Sequence, residues 1–399
     1  MTSAPGRTAS GRDRAFPFGA GVTLDQLDRD PHPVLAQLRA REPVSWLPAL
    51  GCWLVTRYDD AVAVMRDPVR FTVGDPRFST AQVLGPSMLS LDGEEHVRHR
   101  APFVPWFRAR AIRRAFAPEA TSVATQLLAA LEPAGAGELR RGFAGPLAAA
   151  IVGHILGLAR GDATAVLGWY DAIVQAVTAI TAGRPATAKG RAAFAELRTH
   201  LFAAIDRGSR GSLLSDVAAH AQLTPEEIVS NAAVLLFGGV ETTEGMISNA
   251  LLHLLERPDL LARARADRGL LVATIEESLR LEPAAAVVDR YATEATSLRG
   301  ASIAPGELVR VSIAAANRDP AVFRDPQQFD PHRATGRRHL AFAHGPHVCL
   351  GIHLARVEAH CGLALLLARL PRLRLDPDHP ARVRGIVFRK PAALHATWD

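Results

Sequence analysis

The chain has 399 residues, 48% of them hydrophobic and 22% charged, a balance that fits a soluble globular protein and excludes a disordered or fibrous one. Its 46 basic and 40 acidic residues leave a net charge of +6, too small an excess to imply a nucleic-acid binder. The basic residues are nearly all arginine, with lysine only at Lys189 and Lys390. Three cysteines, Cys52, Cys349 and Cys361, are too few and too odd in number for a disulfide framework and suit a reducing compartment. No signal or anchor segment is legible at the polar N-terminus, where residues 1–20 are expected to be disordered, so the expected location is cytoplasmic. The longest nearly apolar stretch, 145–159, is interrupted by His154 and is shorter than the roughly 20 residues a spanning helix needs, which reads as a buried helix and no membrane association.

In chain order, Pro43 to Leu47 and Gly51 to Thr56 have the pattern of a β-hairpin, and Tyr58 to Arg66 of a helix. From Ala109 to Arg207 apolar residues recur at helical spacing, broken at Pro118, Pro133, Gly135, Gly137, Pro146 and Gly183-Arg-Pro185, which predicts a run of packed helices. Thr224-Pro-Glu-Glu227 is a capping box with proline at the first helical position. With no further proline before Pro258, the helix it opens can run for about 32 residues, roughly 48 Å. A second helix is predicted from Leu270 to Glu282, and strands at Leu308 to Ile313 and Val383 to Phe388. No repeat, linker or composition shift marks a boundary, so residues 1–399 are expected to form one mainly α domain with a small β region.

The segment Phe342-Ala-His-Gly-Pro-His-Val-Cys-Leu-Gly351 sets a cysteine among glycines just before an amphipathic helix, where the helix N-terminus favours a thiolate. Three readings are open from the residues alone: a buried cysteine in a tight turn, a zinc site using His344, His347, Cys349 and His353, or a thiolate ligand to another group. Phe237-Gly-Gly-Val-Glu-Thr-Thr243 puts two glycines inside the long helix, where each costs about 1 kcal/mol relative to alanine. Close helix packing would account for the pair. An acid and an alcohol directly after a place where the helix can loosen would equally suit proton delivery, with Thr242 bonding a carbonyl or water and Glu241 relaying protons.

Together these segments resemble the cytochrome P-450 superfamily of haem-thiolate monooxygenases. Phe342, Gly345, His347, Cys349 and Gly351 match the family's cysteine-loop pattern, with Ala343 where many members have glycine; Gly238, Gly239, Glu241 and Thr242 match its oxygen-groove motif. Glu277 and Arg280 match its Glu-x-x-Arg element, with Arg333 as the distant partner and a purely structural role. The resemblance implies haem b as cofactor, Cys349 as axial ligand, Phe342 near the sulfur, and His347, His96, Arg100 and Arg290 at the propionates, with His339 a weaker candidate. Pro102 and Pro105 depart from the family by ending the helix after Arg100. The resemblance runs from His96 through Asn317-Arg-Asp-Pro320 to Gly351, while residues 1–60 fit only by general pattern.

The resemblance implies hydroxylation of a small, largely apolar substrate in natural-product biosynthesis, using dioxygen and two electrons passed from reduced nicotinamide by a separate ferredoxin and ferredoxin reductase. No flavin or nicotinamide fingerprint is present in the chain, and Arg98, Arg108, Arg110, Arg113, Arg114 and Arg356 could attract an acidic ferredoxin; the chain is expected to be a monomer. Oxidative coupling or cyclisation at the same haem is an alternative, and a non-catalytic haem sensor or recruitment module is another. The expected substrate-lining segments are Phe71 to Leu89, the region around Gly183-Arg-Pro185, Asn231 to Val240, and Pro283 to Val288.

Overall fold

The computed structural model describes residues 11–158, 163–181, 184–208, 212–220 and 222–399. Gly183, in one of the expected lining segments, lies outside the described residues. The principal helices are α1 (Gly93–Arg100), α2 (Ala109–Leu131), α3 (Gly145–Ile155), α4 (Ala163–Thr181), α5 (Ala188–Asp206), α6 (Pro225–Leu255), α7 (Arg268–Leu281) and α8 (Ile352–Arg369). The main sheet contains β1 (Val44–Leu47), β2 (Cys52–Val55), β3 (Phe71–Thr72), β4 (Val287–Ala292) and β5 (Leu308–Ser312) in the order β1-β2-β5-β4-β3. The architecture is mainly α with a small β region, as the sequence implies.

Helix α6 is the axis of the helical body. Thr224 caps it by accepting from the Glu227 backbone N–H, and the Glu227 carboxylate accepts in return from the Thr224 N–H. Its 31 residues are buried over nearly their whole length, with α3, α4, α5, α7 and α8 packed around it. A helix surrounded in this way needs no amphipathic stripe, and its stability comes from the apolar area it removes from water.

Proline did not divide the chain everywhere as expected. Helix α2 passes straight through Pro118 because its buried stripe, Ile112, Phe116, Ala120, Ala124 and Leu128, lies along α8 while Pro118 faces solvent. Tertiary packing there outweighs one missing backbone hydrogen bond. Pro102 and Pro105 do end α1, and the chain continues as a short 3-10 turn, Val104–Phe107.

Other differences have local causes. The expected strand from Val383 to Phe388 is limited to Val383–Arg384, because Gly385 turns the chain with φ of +115° and returns it as Lys390–Pro391. Residues 11–20, expected to be disordered, form two short helices, Gly11–Ala15 and Pro17–Ala20. Arg12 anchors them by stacking over Trp46 and Trp53 and by pairing with Glu307. Two helical segments, Ala163–Thr181 and Gly345–Arg369, are long and apolar enough by composition to cross a membrane, although no such length is evident around His154. Both pack against neighbouring helices, α4 on α5 and α8 on α2.

In the sheet, β4 pairs antiparallel with β5, setting Asp289 opposite Arg310, and their side chains form a bidentate ion pair at 2.7 Å. Side chains alternate along a strand, so the next residue, Arg290, projects to the opposite face and is buried.

Candidate active site

The cysteine loop begins after Leu340, whose backbone N–H donates to Asn317 Oδ1 at 2.7 Å. The Cys349 N–H donates to the Phe342 carbonyl at 2.9 Å, closing the loop. Gly345, with φ of +76°, passes so close to the preceding helical segment that an added Cβ would lie 2.4 Å from the Met65 carbonyl oxygen. Only glycine fits there. Ala343 also takes a left-handed conformation, φ +59°, which explains why glycine suits that position better. Burial pushes the Cys349 thiol up, against the Gly351 backbone and the positive charges of Arg100 and Arg356. Burial thus outweighs the expected thiolate-favouring helix terminus.

Four of the expected cofactor residues gather around this loop. Arg100 donates to the Val348 carbonyl at 2.6 Å, next to Cys349. The rings of His96 and His347 meet edge to face at 4.2 Å, and His96 bonds the carbonyls of Met88 and Pro346. His347 Nε2 lies 2.7 Å from Asp92 Oδ1. Asp92 therefore does not cap α1, whose N-cap position it occupies; its second oxygen accepts from Thr72 and the Val73 N–H. Burial opposes ionisation of Asp92, but the hydrogen bonds from His347, Thr72 and Val73 prevail and hold its carboxyl down to about 2. The Asp92 charge also favours the cation of Arg290, against burial that lowers its pKa.

His339 and Phe342 have other neighbours. His339 lies 3.2 Å from Glu276 Oε2, and Arg356 chelates the same carboxylate while its guanidinium lies over the Phe342 ring. This assigns His339 to the support under the loop. The Glu277–Arg280 pair is fully buried at 2.7 Å, and Arg333 reaches Glu277 at 3.3 Å, the three-member brace expected from the sequence. Among the described residues His344, His347, Cys349 and His353 do not converge as a metal cluster, which removes the zinc reading. The group that does satisfy a metal-ligand distance test, Glu95, His99 and Glu227, has Arg98 bonded between its two carboxylates.

On α6 the two glycines separate in role. A Cβ at Gly239 would lie 3.0 Å from Val152 of α3, so this glycine serves close helix packing, whereas a Cβ at Gly238 would meet nothing within 4 Å. Thr242 Oγ1 donates to the Gly238 carbonyl at 2.6 Å, occupying the backbone acceptor beside that open space. Glu241 is buried, and its Oε1 lies 2.8 Å from Lys390 Nζ. Burial pushes the Glu241 carboxyl up, Lys390 opposes the rise, Glu244 adds to it and Arg140 opposes it.

Asp92 and Lys390 were not among the expected site residues. Asp92 carried a visible signal, an acid four residues before His96, and Lys390 carried another, its rarity; their partners are distant in sequence and became evident only in the fold.

A family model for cytochrome P450 matches residues 209–383. Nocardicin C N-oxygenase of Nocardia uniformis subsp. tsuyamanensis is 36% identical over 96% of this chain and 98% of its own length. Cytochrome P450 monooxygenase PikC of Streptomyces venezuelae is 37% identical over 93% of this chain and 91% of its own. Among solved structures, P450BioI in complex with an acyl carrier protein ligated to hexadec-9Z-enoic acid superposes with a TM-score of 0.84 at 30% identity, covering 94% of this chain and 100% of that one. The chain belongs to the cytochrome P450 family. It is a monooxygenase of the haem-thiolate type, related to bacterial enzymes of natural-product biosynthesis.

The residues present fit the haem that the family implies. Arg290 is buried, and among the described residues its Nη2 has no hydrogen-bond partner, an unsatisfied cation of the kind a propionate would complete. His96, Arg100 and His347 gather on the cysteine loop through the Pro346 carbonyl, the Val348 carbonyl and the Asp92 carboxylate, and Gly238 leaves open space beside α6.

Proposed function

We propose that Cys349 is the axial ligand of haem b, that His96, Arg100, Arg290 and His347 hold its propionates, and that Glu241 and Thr242 manage protons for hydroxylation of a small, largely apolar natural product. The observation that carries this reading is the buried Arg290 with its unpaired Nη2 beside the Asp92–His347 pair next to Cys349. Phe342 supports the loop through its carbonyl, and Gly238 and Gly239 give α6 its opening and its close packing.

A bound haem would supply reductive activation of dioxygen, aided by electron donation from the Cys349 thiolate that would hold it. The chain's own residues do the rest. Thr242 holds its hydroxyl on the Gly238 carbonyl, from which it can turn to orient a water. Glu241 keeps one oxygen on Lys390 and its Oε2 without a partner, free to take or give a proton. The apolar run Ala284-Ala-Ala-Val-Val288 offers a smooth wall that excludes water from the substrate.

Electrons come from separate redox proteins, here a ferredoxin and its reductase, in keeping with the exposed Arg108, Arg110, Arg113 and Arg114 close in sequence to α1. Arg98 and Arg356, also expected to attract the partner, are engaged by Glu95 and Glu227 and by Glu276. The protein acts as one haem-enclosing domain over residues 1–399, a monomer in the cytoplasm.

The test begins with the carbon monoxide difference spectrum of the reduced protein, which Cys349→Ser should abolish; a full thiolate-type spectrum in that variant removes the ligand assignment. A compound library screened by shifts of the haem absorption band then supplies a substrate. With it, Thr242→Ala should keep the spectrum but divert reduced nicotinamide into peroxide, and labelled dioxygen should appear in the product. Turnover without label would instead establish coupling or cyclisation, and absence of any substrate-dependent nicotinamide consumption would leave a sensor.

A further inference from the structure

We propose that Lys390 is a positioning residue for catalysis: it pins one oxygen of Glu241 in a three-point clasp with Glu244 and Tyr170, leaving the other oxygen to handle the proton. The inference deepens the role given to Glu241 above and rests on it.

Lysine is rare in this chain, two residues against 44 arginines (46 basic residues less two lysines), and one of the two lies at this point. Lys390 Nζ is 2.8 Å from Glu241 Oε1, 2.5 Å from Glu244 Oε2 and 3.1 Å from the Tyr170 hydroxyl. An ammonium has three N–H donors, and here three oxygens surround it. Arginine's donors are held in one plane, whereas the three donors of an ammonium can reach three oxygens gathered around a single point.

The surroundings are shaped for this clasp. The Lys390 stem lies along α6 at Gly245, where an added Cβ would be in ordinary contact with it at 3.6 Å and 3.7 Å; the tight approach at that glycine is to Ala284, 2.8 Å away. A Cβ at Gly145 would lie 2.7 Å from Glu244 Oε1, so that glycine admits the second carboxylate. The chain leading into Lys390 is fixed by the turn at Gly385, by the pairing of Lys390 with Arg384 across the hairpin, and by Arg389, whose side chain bonds Glu282 at 2.6 Å. Glu244 also faces Arg140 and Arg141, each at 3.3 Å, and Arg141 continues to Asp171 at 2.6 Å. Asp171 is 44% exposed, so a line of ionic groups connects buried Glu241 to solvent. The charges facing Glu241 are Lys390, Glu244 and Arg140. Without Lys390, two buried carboxylates would share the remaining arginines, and one of them would take up a proton.

The experiment compares Glu241→Gln, Lys390→Met, Lys390→Arg and the double variant Lys390→Met/Glu241→Gln. Infrared spectra of each purified protein report protonated carboxyls, and substrate-free reduced-nicotinamide oxidation with a surrogate ferredoxin and reductase, in light and heavy water, reports proton supply. Lys390→Met should show a protonated-carboxyl band at neutral pH that disappears in the double variant, slow oxidation about tenfold and enlarge the solvent isotope effect. Lys390→Arg should remove the band and recover part of the rate. If Lys390→Met does not fold, Lys390→Met/Glu244→Gln, which deletes one charge of each sign, takes its place with the same expected rate loss. An unchanged rate and isotope effect in Lys390→Met, or a band that persists in the double variant after subtraction of the parent spectrum, which removes the contribution of buried Glu358, overturns the proposal. Glu241→Gln at the parent rate would sink the Glu241 reading itself, whereas slow Glu241→Gln beside normal Lys390→Met sinks only the lysine's role.

Discussion

At Ala343 the backbone adopts φ of +59°, a conformation in which an L side chain costs roughly 1 kcal/mol and glycine costs none. The conformation persists because the loop is fixed on both sides, by the Cys349 N–H on the Phe342 carbonyl and by Gly345 against Met65. Ala343→Gly should therefore stabilise the protein by about 0.5–1 kcal/mol, seen as a higher denaturant midpoint with an unchanged carbon monoxide spectrum. Gly345→Ala should do the reverse and lose haem, since its Cβ would press on backbone that cannot yield. The departure at residue 343 was legible in the sequence. Its physical meaning, strain at one position, required the backbone angle.

At the scale of elements, the cysteine loop is braced by two carboxylates on α7. Glu277 holds Arg280 and Arg333, and Glu276 holds Arg356 of α8 and His339. Glu277→Gln leaves two buried guanidiniums without their anion, a loss of about 3–5 kcal/mol that should appear as failure to retain haem in otherwise soluble protein. Glu276 carries a pH signature. Burial opposes its charge, but hydrogen bonds from His339 and Arg356 outweigh burial and depress its carboxyl from 4.5 to about 2. A depressed carboxylate stabilises the fold fully above its unfolded value and loses that contribution as pH falls through the folded one. Denaturation of Glu276→Gln should therefore differ from the parent at neutral pH, and the difference should shrink between pH 4.5 and about 2. Helix α6 offers a simpler check: Thr224→Ala removes the capping box and should cost about 1 kcal/mol, without altering the haem spectrum.

Across the whole molecule, long helices pack around α6 and leave Gly238 as the place where the axis opens. The small sheet sets Arg290 on the buried face of β4, and the cysteine loop brings His347 to Asp92 from the opposite end of the chain. What the sequence by itself determined is local: the capped long helix, the cysteine loop, the Glu-x-x-Arg element and the acid–alcohol pair are each contiguous, and backbone chemistry and side-chain spacing act over a few residues. It also carried the family, because those short motifs occur in one order. Tertiary structure alone decided which charges meet. Asp92 at the start of α1 becomes a clasp for His347, Arg356 leaves the surface patch for Glu276, Pro118 is carried through a helix, and Lys390 reaches Glu241 from the C-terminal hairpin. Ion pairing and burial depend on distance in space, and no spacing along the chain encodes the approach of residues 241 and 390.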